Sequence, residues 1–74
     1  MITLDFGDRT YRARIYTDTP EEASIFEDRN GVIRRDDERS QLDLVAIADH
    51  LIANEGVKHV TAFTRLGYEP VPIV

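Results

Sequence analysis

Cysteine and tryptophan are absent from this chain, and lysine occurs once, at Lys58. Without cysteine there is neither a disulfide framework nor a thiolate metal site, so stability has to come from packing, aided or not by a partner chain. The same absence suits a reducing compartment, and a cytoplasmic protein is expected. No apolar run reaches the roughly 18 residues of a membrane-spanning helix. The opening Met1-Ile2-Thr3-Leu4-Asp5 lacks the basic and apolar regions of a signal peptide, so an unprocessed chain is expected. The four glycines, at 7, 31, 56 and 67, are isolated, and no glycine-rich phosphate loop can be built from them. No cofactor is expected.

What is present is enough to fold. Ile, Leu, Val and Phe supply 21 of the 74 residues, above the range of disordered chains. A chain this short holds a single hydrophobic core, hence one domain spanning residues 1–74.

Charge is unevenly spread. Residues 18–38 carry eight carboxylates (Asp18, Glu21, Glu22, Glu27, Asp28, Asp36, Asp37 and Glu38) against three arginines, which accounts for the whole net charge of −5. Such a field repels nucleic-acid phosphate and anionic membrane and draws cationic partners. The segment reads either as a solvated face that keeps the protein dispersed or as a contact surface for a basic partner.

Alternation organises the first sixteen residues. Ile2, Leu4 and Phe6 alternate with Thr3, Asp5 and Gly7, and Tyr11, Ala13 and Ile15 with Arg12, Arg14 and Tyr16, the period of two half-buried strands. They read as a hairpin. A two-residue Gly7-Asp8 turn sets Leu4 opposite Tyr11, Ile2 opposite Ala13 and Thr3 opposite Arg12; a four-residue loop sets Phe6 opposite Tyr11 and Leu4 opposite Ala13.

Thr19-Pro20-Glu21-Glu22 combines a Thr cap, Pro at a first helical position and Glu three residues after the cap, so a short helix over 20–29 is expected, capped by Asn30-Gly31. The competing reading makes Asn30-Gly31 a hairpin turn between strands at 24–28 and 32–36. Val32 and Ile33 read as a short strand, and Asp36-Asp37-Glu38-Arg39 as loop. Ser40 with Asp43 three residues on resembles a capping box. Leu44, Ile47, Ala48, Leu51 and Ile52, with Val45, form the apolar stripe of an amphipathic helix over about 41–54 that ends at Gly56. Asp43, Asp49 and His50 are assigned to its polar side. Residues 57–64, rich in β-branched and aromatic types, predict a strand, Leu66-Gly67 a turn, and the tail over 68–74, with Pro70 and Pro72, an edge strand or non-strand structure. The expected fold class is α+β, a small antiparallel sheet of three to five strands with one long helix on a face.

Catalytic groups do not assemble from the sequence. Ser24 and Ser40 have local structural roles, and His50 and His59 lack the spacing of a metal site or an acid–base pair. Adjacent carboxylates such as Glu21-Glu22 and Asp36-Asp37 diverge in regular structure. Ala62-Phe63-Thr64-Arg65-Leu66-Gly67-Tyr68-Glu69-Pro70-Val71 resembles a segment near the end of GNAT acetyltransferases. That family's acetyl-CoA pyrophosphate loop is missing here, and no residue role is carried over.

The expected function is non-enzymatic: an interaction module whose acidic residues 18–38 engage a basic surface on a protein partner, including nucleic-acid-binding proteins, with no direct contact to nucleic acid or membrane. In size and acidity the chain is similar to phage-encoded inhibitors of host defence, such as anti-CRISPR and anti-restriction proteins. The alternative is an assembly protein that forms a homo-oligomer through an edge strand and a helix face. A small enzyme or metal protein using His50 and His59 is the third.

Overall fold

A computed structural model describes residues 1–27, 33–34, 36–64 and 70–74. Five strands, β1 (Ile2–Asp5), β2 (Thr10–Ile15), β3 (Glu22–Glu27), β4 (His59–Phe63) and β5 (Pro70–Pro72), form one sheet in sequence order. One helix, α1 (Glu38–Glu55), lies between β3 and β4 in the chain and covers one face of the sheet. The class is α+β, as the sequence indicates.

The first hairpin closes on the shorter of the two candidate turns. Gly7 adopts φ +86°, Phe6 N–H donates to the Arg9 carbonyl at 2.8 Å, and the Asp5 carboxylate accepts from Gly7 N–H at 2.8 Å. A two-residue turn needs a positive φ of this kind, which glycine adopts without strain. The register follows, with Ile2 opposite Ala13, Thr3 opposite Arg12 and Leu4 opposite Tyr11.

The expected helix over 20–29 is not formed; residues 22–27 are the central strand β3. The local signals are used up in a turn, where Glu22 N–H donates to the Thr19 carbonyl at 2.9 Å with Pro20 in the second position that proline favours. Tyr16 N–H then donates to the Glu22 carbonyl at 3.1 Å, and the chain runs back along β2. A strand puts Ala23 and Ile25 into the core and leaves Ser24 and Phe26 on the far face. The alternative hairpin identified a strand here but not its partners, which are β2 and β4. Ile33 and Arg34 belong to no strand, and the elements expected at Asn30-Gly31, Val32 and Leu66-Gly67 lie outside the described residues.

The sheet is mixed, which corrects the antiparallel expectation: β3 and β4 run parallel, with Glu22 opposite His59 and Phe26 opposite Phe63. Parallel neighbours need a crossover, and α1 supplies it. Its helix begins earlier than the sequence suggests. Asp37, not Ser40, is the N-cap, accepting from Arg39 N–H at 3.3 Å, so Glu38 and Arg39 are helical rather than loop. At the other end Gly56 is left-handed (φ +72°) and its N–H returns to the Leu51 carbonyl.

Leu44, Ile47, Ala48 and Leu51 face the sheet as expected, but the stripe is rotated. Asp43 and Ser40 are buried, whereas Val45 and Ile52 are 52% and 39% exposed. The core joins these helix residues to Tyr11, Ala13, Ala23, Ile25, Val60 and Ala62. At the β5 edge, Ile73 N–H donates inward to Val60 at 2.9 Å. Alternation therefore turns the donor-less nitrogens of Pro70 and Pro72 outward, as the sequence suggests.

Candidate functional site

Two polar clusters and the acidic segment are the places where chemistry could reside. The first cluster joins the Gly7-Asp8 turn to the start of α1. Arg39 binds Asp8 through both terminal nitrogens, at 2.7 and 3.0 Å, and approaches Asp43 through Nε at 3.3 Å. Arg9 donates to Asp37 at 3.0 Å and to Ser40 at 3.3 Å, while Ser40 donates to Asp37 at 2.7 Å. Beneath them the Tyr11 hydroxyl donates to Asp43 at 2.7 Å.

Each side chain is held by another in this cluster. The Arg39 hydrogen bonds hold the Asp8 carboxyl below its ordinary range, and the Ser40 hydroxyl, then Arg9, do the same for Asp37. Burial first, then the bond to Asp43, pushes the Tyr11 hydroxyl up. Bidentate, charge-assisted contacts of this type latch a turn to a helix end.

The second cluster lies on the sheet face that α1 does not cover. Phe26 and Phe63, opposite each other in register, stack with centroids 5.5 Å apart and planes at 13°. Next along β3, the Tyr16 and Ser24 hydroxyls share a 2.5 Å hydrogen bond. Tyr16, Thr19, Glu22, Ser24, His59, Thr61 and Phe63 surround a shallow concavity of about 310 Å³ whose floor includes Ala23. The Ser24 hydroxyl is buried and bound to Tyr16, which removes it as a nucleophile. Sequence reasoning missed this face because a helix was expected at 20–29. Once 22–27 is a strand with Ala23 and Ile25 inward, alternation alone puts Glu22, Ser24 and Phe26 together on the other side.

The acidic residues are divided between the two ends of β3. Asp18, Glu21 and Glu22 lie where β3 begins, all exposed, with Glu21 3.4 Å from Lys58. Asp36, Asp37 and Glu38 lie at the start of α1, beyond the other end of β3. Five residue steps along β3 separate the ends by about 17 Å. Glu27 is half-buried and accepts from Ile33 N–H at 2.8 Å. Asp28 lies outside the described residues.

His50 and His59 are on opposite sides of the sheet. His50 is on the exposed side of α1 beside Asn54, and His59 is on the uncovered face. Among the described residues no group of three or more His, Cys, Asp or Glu could hold a metal ion, and no helix is long and apolar enough to cross a membrane. Comparison with family models, with curated proteins and with solved structures finds no match.

Proposed function

We propose that the protein is a non-enzymatic interaction module that presents carboxylates to a basic surface on a protein partner. The supporting observation is that Asp18, Glu22, Asp36 and Glu38 are exposed and hold no cation partner among the described residues. Three nearby bases are already engaged, Lys58 by Glu21, Arg9 by Asp37, and Arg39 by Asp8 and Asp43. A net charge of −5 steers such a molecule toward cationic surfaces and away from nucleic acid. Proteins that bind nucleic acid carry surfaces of this kind, and a carboxylate module competes there with phosphate. The mode of action is that of a small phage-type inhibitor of host defence, working in the cytoplasm.

The test is affinity capture from nuclease-treated lysate, eluted in rising salt and repeated with the variant Asp18→Asn, Glu22→Gln, Asp36→Asn, Glu38→Gln. A stoichiometric basic protein that elutes with salt and is lost with the variant is expected. Equal capture by the variant overturns the proposal.

A second reading, homo-oligomer formation, draws on the outer side of α1. Leu42 and Val45 are 63% and 52% exposed, beside a groove of about 450 Å³ walled by Leu44, Val45, Val71 and Ile73. It predicts a salt-resistant oligomer in light scattering, and a monomer at high concentration overturns it.

A further inference from the structure

We infer that the concavity on the uncovered sheet face is a socket for an arginine side chain. The inference rests on the proposed function only for the source of that arginine, the basic protein partner. Its own basis is the chemistry of the walls.

Glu22 opens β3 at the rim, exposed and without a cation partner among the described residues. Thr19, whose hydroxyl lies 3.4 Å from the Glu22 carboxylate, bounds the same side. Tyr16 and Phe63 provide aromatic walls, and the Tyr16, Ser24 and Thr61 hydroxyls supply acceptor oxygens. Among the described residues no lysine or arginine lines the concavity; Arg14, opposite Ser24 in register, is not one of its walls.

A carboxylate, hydroxyl acceptors and aromatic rings around about 310 Å³ select a cation and reject an anion. A metal ion would find two ligands of the usual kinds, Glu22 and His59, too few to hold it. Guanidinium fits better than ammonium. It is planar, stacks on aromatic rings, sheds water more readily and presents a donor fork to a carboxylate. Asp18, exposed at the same end of the sheet, strengthens the attracting field.

The two-ended division of the carboxylates then acquires a meaning. Among the described residues, the concavity beside Asp36 is lined by Arg9, Arg34, Asp36 and Asp37, a different composition. Two arginines already occupy its walls. Specific side-chain capture therefore belongs to the Glu22 end, and the Asp36 end contributes charge.

The experiment is an NMR titration of the whole protein with N-acetyl-arginine N-methylamide, and with the citrulline counterpart, which keeps the shape and lacks the charge. Expected are saturable shifts confined to Tyr16, Glu22, Ser24, Thr61 and Phe63, with affinity for the citrulline probe weaker by about fivefold or more. Glu22→Gln is expected to weaken arginine binding about five- to tenfold, and Phe63→Leu to weaken it while Phe26 keeps its place. Amide spectra away from the site report whether each variant remains folded. Unsaturable shifts, equal binding of the citrulline probe, or shifts centred on Asp36 and Glu38 overturn the socket. Partner capture that needs Asp36 and Glu38 but survives Glu22→Gln also overturns it, and leaves the acidic-module reading standing. Arginine binding at these residues with no salt-sensitive partner supports the socket and removes that reading.

Discussion

Tyr11 donates its phenolic hydrogen to the Asp43 carboxylate at 2.7 Å, a buried bond that ties the second strand to the helix 32 residues further on. Tyr11 is fully buried, with Phe6 against its ring edge-on at 5.7 Å, and Asp43 is 6% exposed. Arg39 provides the opposite charge from the preceding turn of the helix. A buried carboxylate is tolerated in so small a core because its oxygens have donors.

Tyr11→Phe is therefore expected to cost about 1 to 2 kcal/mol by leaving Asp43 short of a donor. Because the fold raises the Tyr11 hydroxyl above its ordinary value, that contribution is complete below about pH 10 and is lost as pH rises further. Denaturant titrations at pH 7 and pH 11 check both points, with the variant losing less stability than the parent between them.

Acid acts through the turn-to-helix latch. Asp8 and Asp37 are held below the ordinary carboxylate range, so their contribution is present above about pH 4 and lost as pH falls through their lowered values. Thermal melts from pH 6 to pH 2 are expected to fall, and to fall less steeply for Asp37→Asn. Asp37→Ala, which also removes the helix cap, is expected to lower Tm by about 4–8 °C at neutral pH.

Substitutions on α1 separate its two sides. Leu51→Ala removes a fully buried side chain and is expected to cost about 3 kcal/mol. Val45→Ala, at a position more than half exposed, is expected to stay within about 0.5 kcal/mol. Chemical denaturation of both variants measures the difference, and equal costs would mean that the helix is rotated from the position described.

The β5 edge is protected by what proline lacks. Pro70→Val with Pro72→Val restores two outward N–H donors to an exposed edge. The double variant is expected to self-associate at concentrations where the parent is monomeric, read by light scattering. An unchanged mass would show that the prolines play no protective role.

Legibility varied with the range of the interactions involved. The hairpin and its inward face were readable because period-two alternation is local, but two registers stayed open until the positive φ of Gly7 selected the shorter turn. The two ends of α1 differed: Gly56 named the C-terminal stop, while Ser40 concealed Asp37 as the cap. Ser40 lies inside the first turn and donates to Asp37, a role that depends on Arg9 from the distant hairpin. The proposed contact residues Asp18, Glu21, Glu22, Asp36 and Glu38 are exposed; of these the sequence marks only those of the 36–39 run as too polar to bury. Their division between two ends could not be read, since it follows from the state of β3.

The sequence by itself determined an α+β class, a first hairpin with two candidate registers, and a long helix ending at Gly56. These rest on composition, short-range periodicity and backbone restrictions, all of which act within a few residues. Tertiary structure decided that residues 22–27 are a strand, that it pairs parallel with β4, and that Asp43 turns inward while Val45 and Ile52 turn out. The physical reason is that Thr19-Pro20-Glu21-Glu22 can start a helix or close a turn with the same local bonds. The choice goes to whichever continuation buries Ala23 and Ile25 between β2 and β4, and β4 is more than thirty residues away in the chain.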